Sequence, residues 1–244
     1  MILNIRGPAC SGKSHLVRQL LAEFPSSEVW EKTGWNKTRA KQVGHLLPGG
    51  LFVVGPYSKD KGGGLGDLQV GRMELTTLWL ERNAAIYPYT IFESNSASLS
   101  IGRYHELSER LASVGGVTFA FLDTPVSVVA ERSGQSIEDA CVPLNRISDI
   151  RNRLSSLGET CVTLNHEDAY AQLITLLQTI GGWDPFSTPP IQHPKVRTRY
   201  SLQDTYGEVI TYQEVGENAH VKLDPERWKR LLDEVSKHRE KFIA

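Results

Sequence analysis

Eight residues near the start of the chain have types and spacing suited to one piece of chemistry. Gly7-Pro8-Ala9-Cys10-Ser11-Gly12-Lys13-Ser14 fits the pattern G-x-x-x-x-G-K-[ST], whose work is to hold a phosphate chain. In such a loop the backbone N–H groups of Gly7, Ala9, Cys10, Ser11 and Gly12 wrap phosphate oxygens. Lys13 reaches the outer phosphates and steadies charge on a migrating group, and the Ser14 hydroxyl ligates Mg2+. Glycine is wanted at both ends because the chain must turn tightly and approach the anion closely. Cys10 is assigned no thiol chemistry, since a small side chain suffices there. ATP and Mg2+ are the cofactors this loop predicts.

Further groups extend the candidate chemistry. Glu93 closes the apolar run Tyr89-Thr90-Ile91-Phe92, and a hydrophobic strand ending in a carboxylate is the expected partner of such a loop, because it sets negative charge beside the metal that Ser14 holds. Asp67 is the sole carboxylate between Gly62 and Gly71. It is a candidate general base, the alternative being an exposed loop aspartate. Tyr57 is placed to stack on an acceptor. Arg132 ends a predicted helix, and Arg146, Arg151 and Arg153 follow a segment, 133–146, with little periodicity. Their guanidinium forks suit a lid that closes on phosphoryl oxygens, against the alternative of ordinary surface charge. Between Trp30 and Pro48 the chain is polar and basic, with Lys32, Lys37, Arg39, Lys41 and His45 beside Trp30 and Trp35. Lys37 and Arg39 are candidate acceptor contacts if the aromatic rings stack on bases; otherwise the segment is solvated surface with its tryptophans against a sheet edge.

The elements that must position these groups alternate. Ile2 to Arg6 reads as a strand running into the loop, and Lys13 to Phe24 as a helix with Leu16, Val17, Leu20, Leu21 and Phe24 on one face. That helix directs its N-terminus at the bound phosphates. Leu51–Val54, Tyr89–Glu93, Val117–Asp123 and Thr160–Leu164 read as strands. Helices are expected over about 70–87, over 104–114, after Thr124-Pro125 and over 167–180. Strands alternating with helices predict a parallel sheet covered on both faces, with the glycine-rich loop after Val54 at a strand's carboxyl end, where ligands bind in such sheets.

At 244 residues, 40% hydrophobic and 23% charged, the chain has material for one sizeable core and a small appendage. A net charge of -1 supplies no general basic field, so contact with nucleic acid requires a local patch. Three scattered cysteines suggest neither a zinc site nor a disulfide framework. With a strand at residue 2 and no apolar run of membrane length, a cytoplasmic protein without membrane contact is expected. Composition changes after residue 180. The expected division is a kinase-type domain over 1–180, a Gly/Pro-rich linker over 181–194 and a small appendage over 195–244, with strands near 197–201 and 207–215 and a helix capped by Asp224-Pro225-Glu226.

Over about residues 1–178 the chain resembles the P-loop 5-hydroxymethyluridine DNA kinases of bacteriophages that hypermodify their DNA. The resemblance rests on Ile2–Ser14, on Val53-Val54-Gly55-Pro56-Tyr57 with a glycine-rich turn and Asp67, on Ile91-Phe92-Glu93, on Phe121–Pro125 leading to Glu131-Arg132, and on Pro143-Leu144-Asn145 before an arginine-bearing helix. It departs where Gly62–Asp67 is longer than a compact Gly-Gly-x-Asp turn and where Ser94-Asn95 replaces an expected glycine. The resemblance implies a P-loop NTPase fold and transfer of the ATP γ-phosphoryl group to the hydroxymethyl oxygen of a modified pyrimidine in DNA. The expected partner is then DNA containing 5-hydroxymethyluracil and the expected setting, for a phage-encoded enzyme, the host cytoplasm. Nucleoside monophosphate kinases share the five-strand arrangement and lid arginines, so a kinase of a free nucleoside, nucleotide or metabolite, or of polynucleotide ends, is the competing reading. An NTP-driven binding protein ranks below both, because no charged switch motif is visible.

Overall fold

A computed structural model describes residues 1–31, 41–57, 80–81, 83–94, 101–187, 199–203 and 209–213. Its strands are β1 (Ile2–Arg6), β2 (Ser27–Glu31), β3 (Lys41–Leu47), β4 (Leu51–Val54), β5 (Tyr89–Glu93), β6 (Val117–Asp123), β7 (Cys161–Asn165), β8 (Arg199–Gln203) and β9 (Val209–Gln213). They join in one nine-stranded sheet of order β7-β6-β1-β5-β4-β3-β2-β8-β9. From β7 to β4 neighbouring strands run parallel. From β4 to β9 they run antiparallel. Helices α1 (Lys13–Glu23), α2 (Ile101–Arg110), α3 (Val126–Ser133), α4 (Ile137–Ser156) and α5 (Ala169–Thr175) complete a mixed α/β architecture.

Alternation along β1 assigns the two faces. Leu3 and Ile5 pack with Leu16, Val17 and Leu20 of α1 and Leu173 of α5, whereas Ile2 belongs with Tyr104 and Leu107 of α2 and Ile147, Ile150 and Leu154 of α4. All five residues of β1 are buried, as a central strand between two parallel neighbours must be. Its carboxyl end therefore feeds the loop at Gly7 from the middle of the five parallel strands, with the end of β5 beside it.

Two segments depart from expectation. The stretch read as polar surface holds the end of β2 and all of β3, with Val43 and Leu47 buried. A register shift between Val29 and Trp30 breaks the period-two pattern. Gly44 stands where a Cβ would lie 2.3 Å from the Val53 carbonyl oxygen and 2.5 Å from the Phe52 ring, so the pairing with β4 leaves no room for an apolar side chain to signal a strand. The segment read as irregular, 133–146, instead contains the start of α4. Ser136 caps this helix by accepting from the Asp139 N–H at 3.1 Å, and Ala140, Ile147, Ile150 and Leu154 form its buried side. Pro143 within it, and Val142 at 60% exposure, obscure the period.

The tail strands occur as β8 and β9, and β8 extends the sheet along β2. Trp183, placed by sequence in a linker, is buried on the α1 face, its Nε1 donating to the Pro48 carbonyl at 2.9 Å. Most of the helix expected over 70–87, and the one expected after Asp224, lie outside the described residues.

Candidate functional site

The loop from Gly7 is held in a strained, converging shape. Cys10 adopts φ 62° and Gly12 φ 103°, left-handed values of the kind found where backbone N–H groups form an anion-binding concavity. A Cβ on Gly7 would lie 2.5 Å from Ser11 Oγ. Thr124, just beyond β6, donates its hydroxyl to the Ser11 carbonyl at 2.9 Å and so ties the loop to a second strand end. Lys13 Nζ donates to the Gly7 and Pro8 carbonyls at 2.9 and 2.7 Å, folded back over the cradle its loop encloses. Arg132, at the last turn of α3, brings Nη1 to 3.3 Å from where a Gly12 Cβ would stand. A guanidinium thus lies against the loop.

Glu93 at the end of β5 is buried and carries two hydroxyls. Its Oε2 accepts from Ser14 Oγ at 2.9 Å and its Oε1 from Tyr57 OH at 2.6 Å. Burial raises its pKa above the ordinary carboxylate value, opposed by the Tyr57 hydrogen bond, the Lys13 charge, the Ser14 hydrogen bond and the Arg18 charge. Tyr57, expected as a stacking surface, is buried and turned to Glu93, on a backbone at φ 31°. The corner before it is fixed by buried His45, whose Nε2 lies 3.1 Å from Gln42 Nε2 and 3.2 Å from the Pro56 carbonyl. Burial lowers the His45 pKa, against opposing contributions from Pro56 and Glu28.

The structure thus brings together Gly7, Ala9, Cys10, Ser11, Gly12, Lys13, Ser14, Glu93, Tyr57 and Arg132. Arg151 instead donates to Thr163 on β7 at 3.2 Å, and Arg146 is exposed on α4. Asp67, Lys37 and Arg39 lie outside the described residues. Asn4, Arg6, Ser94 and Thr124 were assigned no role in the site from sequence. Ser94, where a glycine was expected, donates to Asn4 Oδ1 at 2.7 Å, and Asn4 Nδ2 donates to the Phe92 carbonyl at 3.3 Å. For Asn4 and Arg6 the signal was available: polar residues at alternate positions of a strand otherwise apolar.

Two features of the loop fit a Mg2+-bound phosphate chain. The Ser11 hydroxyl is buried without a partner, and Gly7 and Gly12 let Ser11 and the Arg132 guanidinium close on the loop where a Cβ would lie 2.5 Å from Ser11 Oγ and 3.3 Å from Arg132 Nη1. The hard-oxygen pair Ser14 and Glu93 suits Mg2+, which takes few protein ligands and shares the rest with phosphates. No group of three or more His, Cys, Asp or Glu side chains able to hold a metal occurs among the described residues, and no described helix is long and apolar enough to cross a membrane. No protein-family model matches the chain, and no curated protein sequence matches it.

Proposed function

We propose that the chain is an ATP-dependent phosphotransferase of the P-loop NTPase kind. Its acceptor is the hydroxymethyl oxygen of 5-hydroxymethyl-2'-deoxyuridine in DNA. The observation that carries the nucleotide reading is the Ser14–Glu93 hydrogen bond, which joins the last residue of a G-x-x-x-x-G-K-S loop to an acid at the end of the neighbouring strand. The strand order of the parallel half, with β1 between β5 and β6 and β4 beyond β5, is the arrangement of nucleoside monophosphate kinases and supports the same reading. The acceptor rests on the sequence resemblance.

In this mechanism Lys13 exchanges the Gly7 and Pro8 carbonyls for outer phosphate oxygens, and Arg132 adds a second cation from α3. Ser14 and Glu93 would hold Mg2+, which would supply neutralisation of phosphate charge. Asp67 orients the acceptor hydroxyl and takes its proton as the bond from γ-phosphorus to the acceptor oxygen forms and the bond to the ADP oxygen breaks. A group in a duplex must be reached through the major groove or by flipping the base, so activity should fall steeply with salt.

The test is incubation with γ-labelled ATP and, separately, 5-hydroxymethyluracil DNA, ordinary DNA and free nucleosides. Label on the modified base is expected. Label on 5' ends or on free nucleosides would replace the acceptor while keeping the kinase; absence of label from every acceptor, with no consumption of ATP, would remove the kinase.

A further inference from the structure

Arg6 is the last residue of β1 and immediately precedes Gly7. It is 1% exposed, its guanidinium carbon lies 4.2 Å from the centre of the Tyr104 ring, with which it also shares a side-chain hydrogen bond, and its Nη1 donates to Asn4 Oδ1 at 3.4 Å. Its Nε has no partner, and no carboxylate pairs with it among the described residues. Glu93, the buried acid at these strand ends among the described residues, has both oxygens engaged by Ser14 and Tyr57. Burial pushes the Arg6 pKa down, offset by Tyr104 and Cys161, yet an arginine does not give up its proton in a protein. The free protein therefore carries a desolvated cation that neutral groups alone, Tyr104 and Asn4, compensate in part, with no carboxylate opposite it among the described residues.

We infer that Arg6 is an electrostatic determinant of polyphosphate binding: its counter-charge is the anion held in the adjoining loop, which it favours through the low-dielectric end of the sheet without touching it. This rests on the nucleotide reading above. A charge in that position acts on phosphate and leaves the nucleoside unaffected, and because it is buried its effect is screened by salt far less than that of a surface arginine.

The experiment compares wild type, Arg6→Met and Arg6→Lys for thermal midpoint and for binding of a non-hydrolysable ATP analogue, inorganic tripolyphosphate and adenosine, each with Mg2+ and at two salt concentrations. Arg6→Met is expected to melt no lower than wild type, to bind the analogue and tripolyphosphate about tenfold more weakly at both salts, by the size of a single charge effect across a protein interior, and to bind adenosine unchanged. Arg6→Lys should keep most of the phosphate affinity. Equal tripolyphosphate binding by Arg6→Met and wild type would overturn the inference. So would an Arg6→Met chain that fails to fold without ligand, because the cation would then be stabilising the free protein. A wild type that binds neither analogue nor tripolyphosphate would instead sink the nucleotide reading itself.

Discussion

Glu93 holds Tyr57 and Ser14 through separate oxygens, so its removal has a specific expected signature. In Glu93→Gln one oxygen becomes an amide donor facing a hydroxyl and the negative charge is lost. The Mg2+ concentration for half-maximal activity should rise and turnover fall, read from metal titrations; an unchanged metal requirement would move the acid's role to Asp123. Lys13→Ala should abolish transfer while leaving the fold intact, checked by turnover alongside circular dichroism, since it removes the cation proposed to exchange the loop carbonyls for phosphates. Asp67→Asn should lower kcat by about 10²- to 10⁴-fold with ATP binding near normal, the range for a lost general base. Retention of half the turnover would end that assignment. Lys13, Ser14 and Glu93 were legible in the sequence because a spacing and a strand end define them. The bond from Tyr57 to Glu93 was not, because it depends on where a backbone at φ 31° aims the ring, and no local pattern records that.

Among the elements, α2 and α4 are joined through one carboxylate in the turn after α4. Glu159 Oε1 lies 2.6 Å from His105 Nδ1, and Oε2 accepts from Ser108 Oγ at 2.7 Å. The same Ser108 oxygen accepts from the Val117 N–H at 3.1 Å, reaching the start of β6. The hydrogen bond to Glu159 raises the His105 pKa, ahead of the opposing effect of burial. A raised histidine contributes its stability fully below the ordinary value of about 6.5 and loses it as pH climbs through the raised folded value. Melting midpoints should thus fall as pH rises above about 6.5, and less so in His105→Gln; parallel pH profiles for the two proteins would show that the pair contributes nothing. The strands of the parallel half were readable because buried strands are continuous apolar runs. The first turns of α4 were not, since Pro143 and the exposed Ile137 and Val142 interrupt the helical period. Nor was β3, where Gly44 and His45 stand for packing constraints imposed by β4.

At the scale of the molecule, the residues read as a linker do mechanical work. Trp183 packs edge-on against Phe24, ring centres 5.1 Å apart, and Trp183→Ala should cost about 3–5 kcal/mol, measured by denaturant unfolding. A loss below about 1 kcal/mol would mean the site collapses around the smaller side chain. Ending the chain at residue 187 uncovers the edge of β2 that β8 pairs with, and unpaired edges recruit other strands. The shortened protein should self-associate more than the full chain by light scattering, and equal behaviour would show that the edge is protected otherwise. The central place of β1 also governs when the molecule can first act during its synthesis. Its two neighbours, β5 and β6, are encoded far downstream, the second more than a hundred residues later. At ~5–20 residues per second the ribosome needs on the order of 5–20 s to deliver β6 after β1. Throughout that interval the strand that leads into the Gly7–Ser14 loop lacks its β6 partner, so the loop is not fastened until Thr124 has emerged.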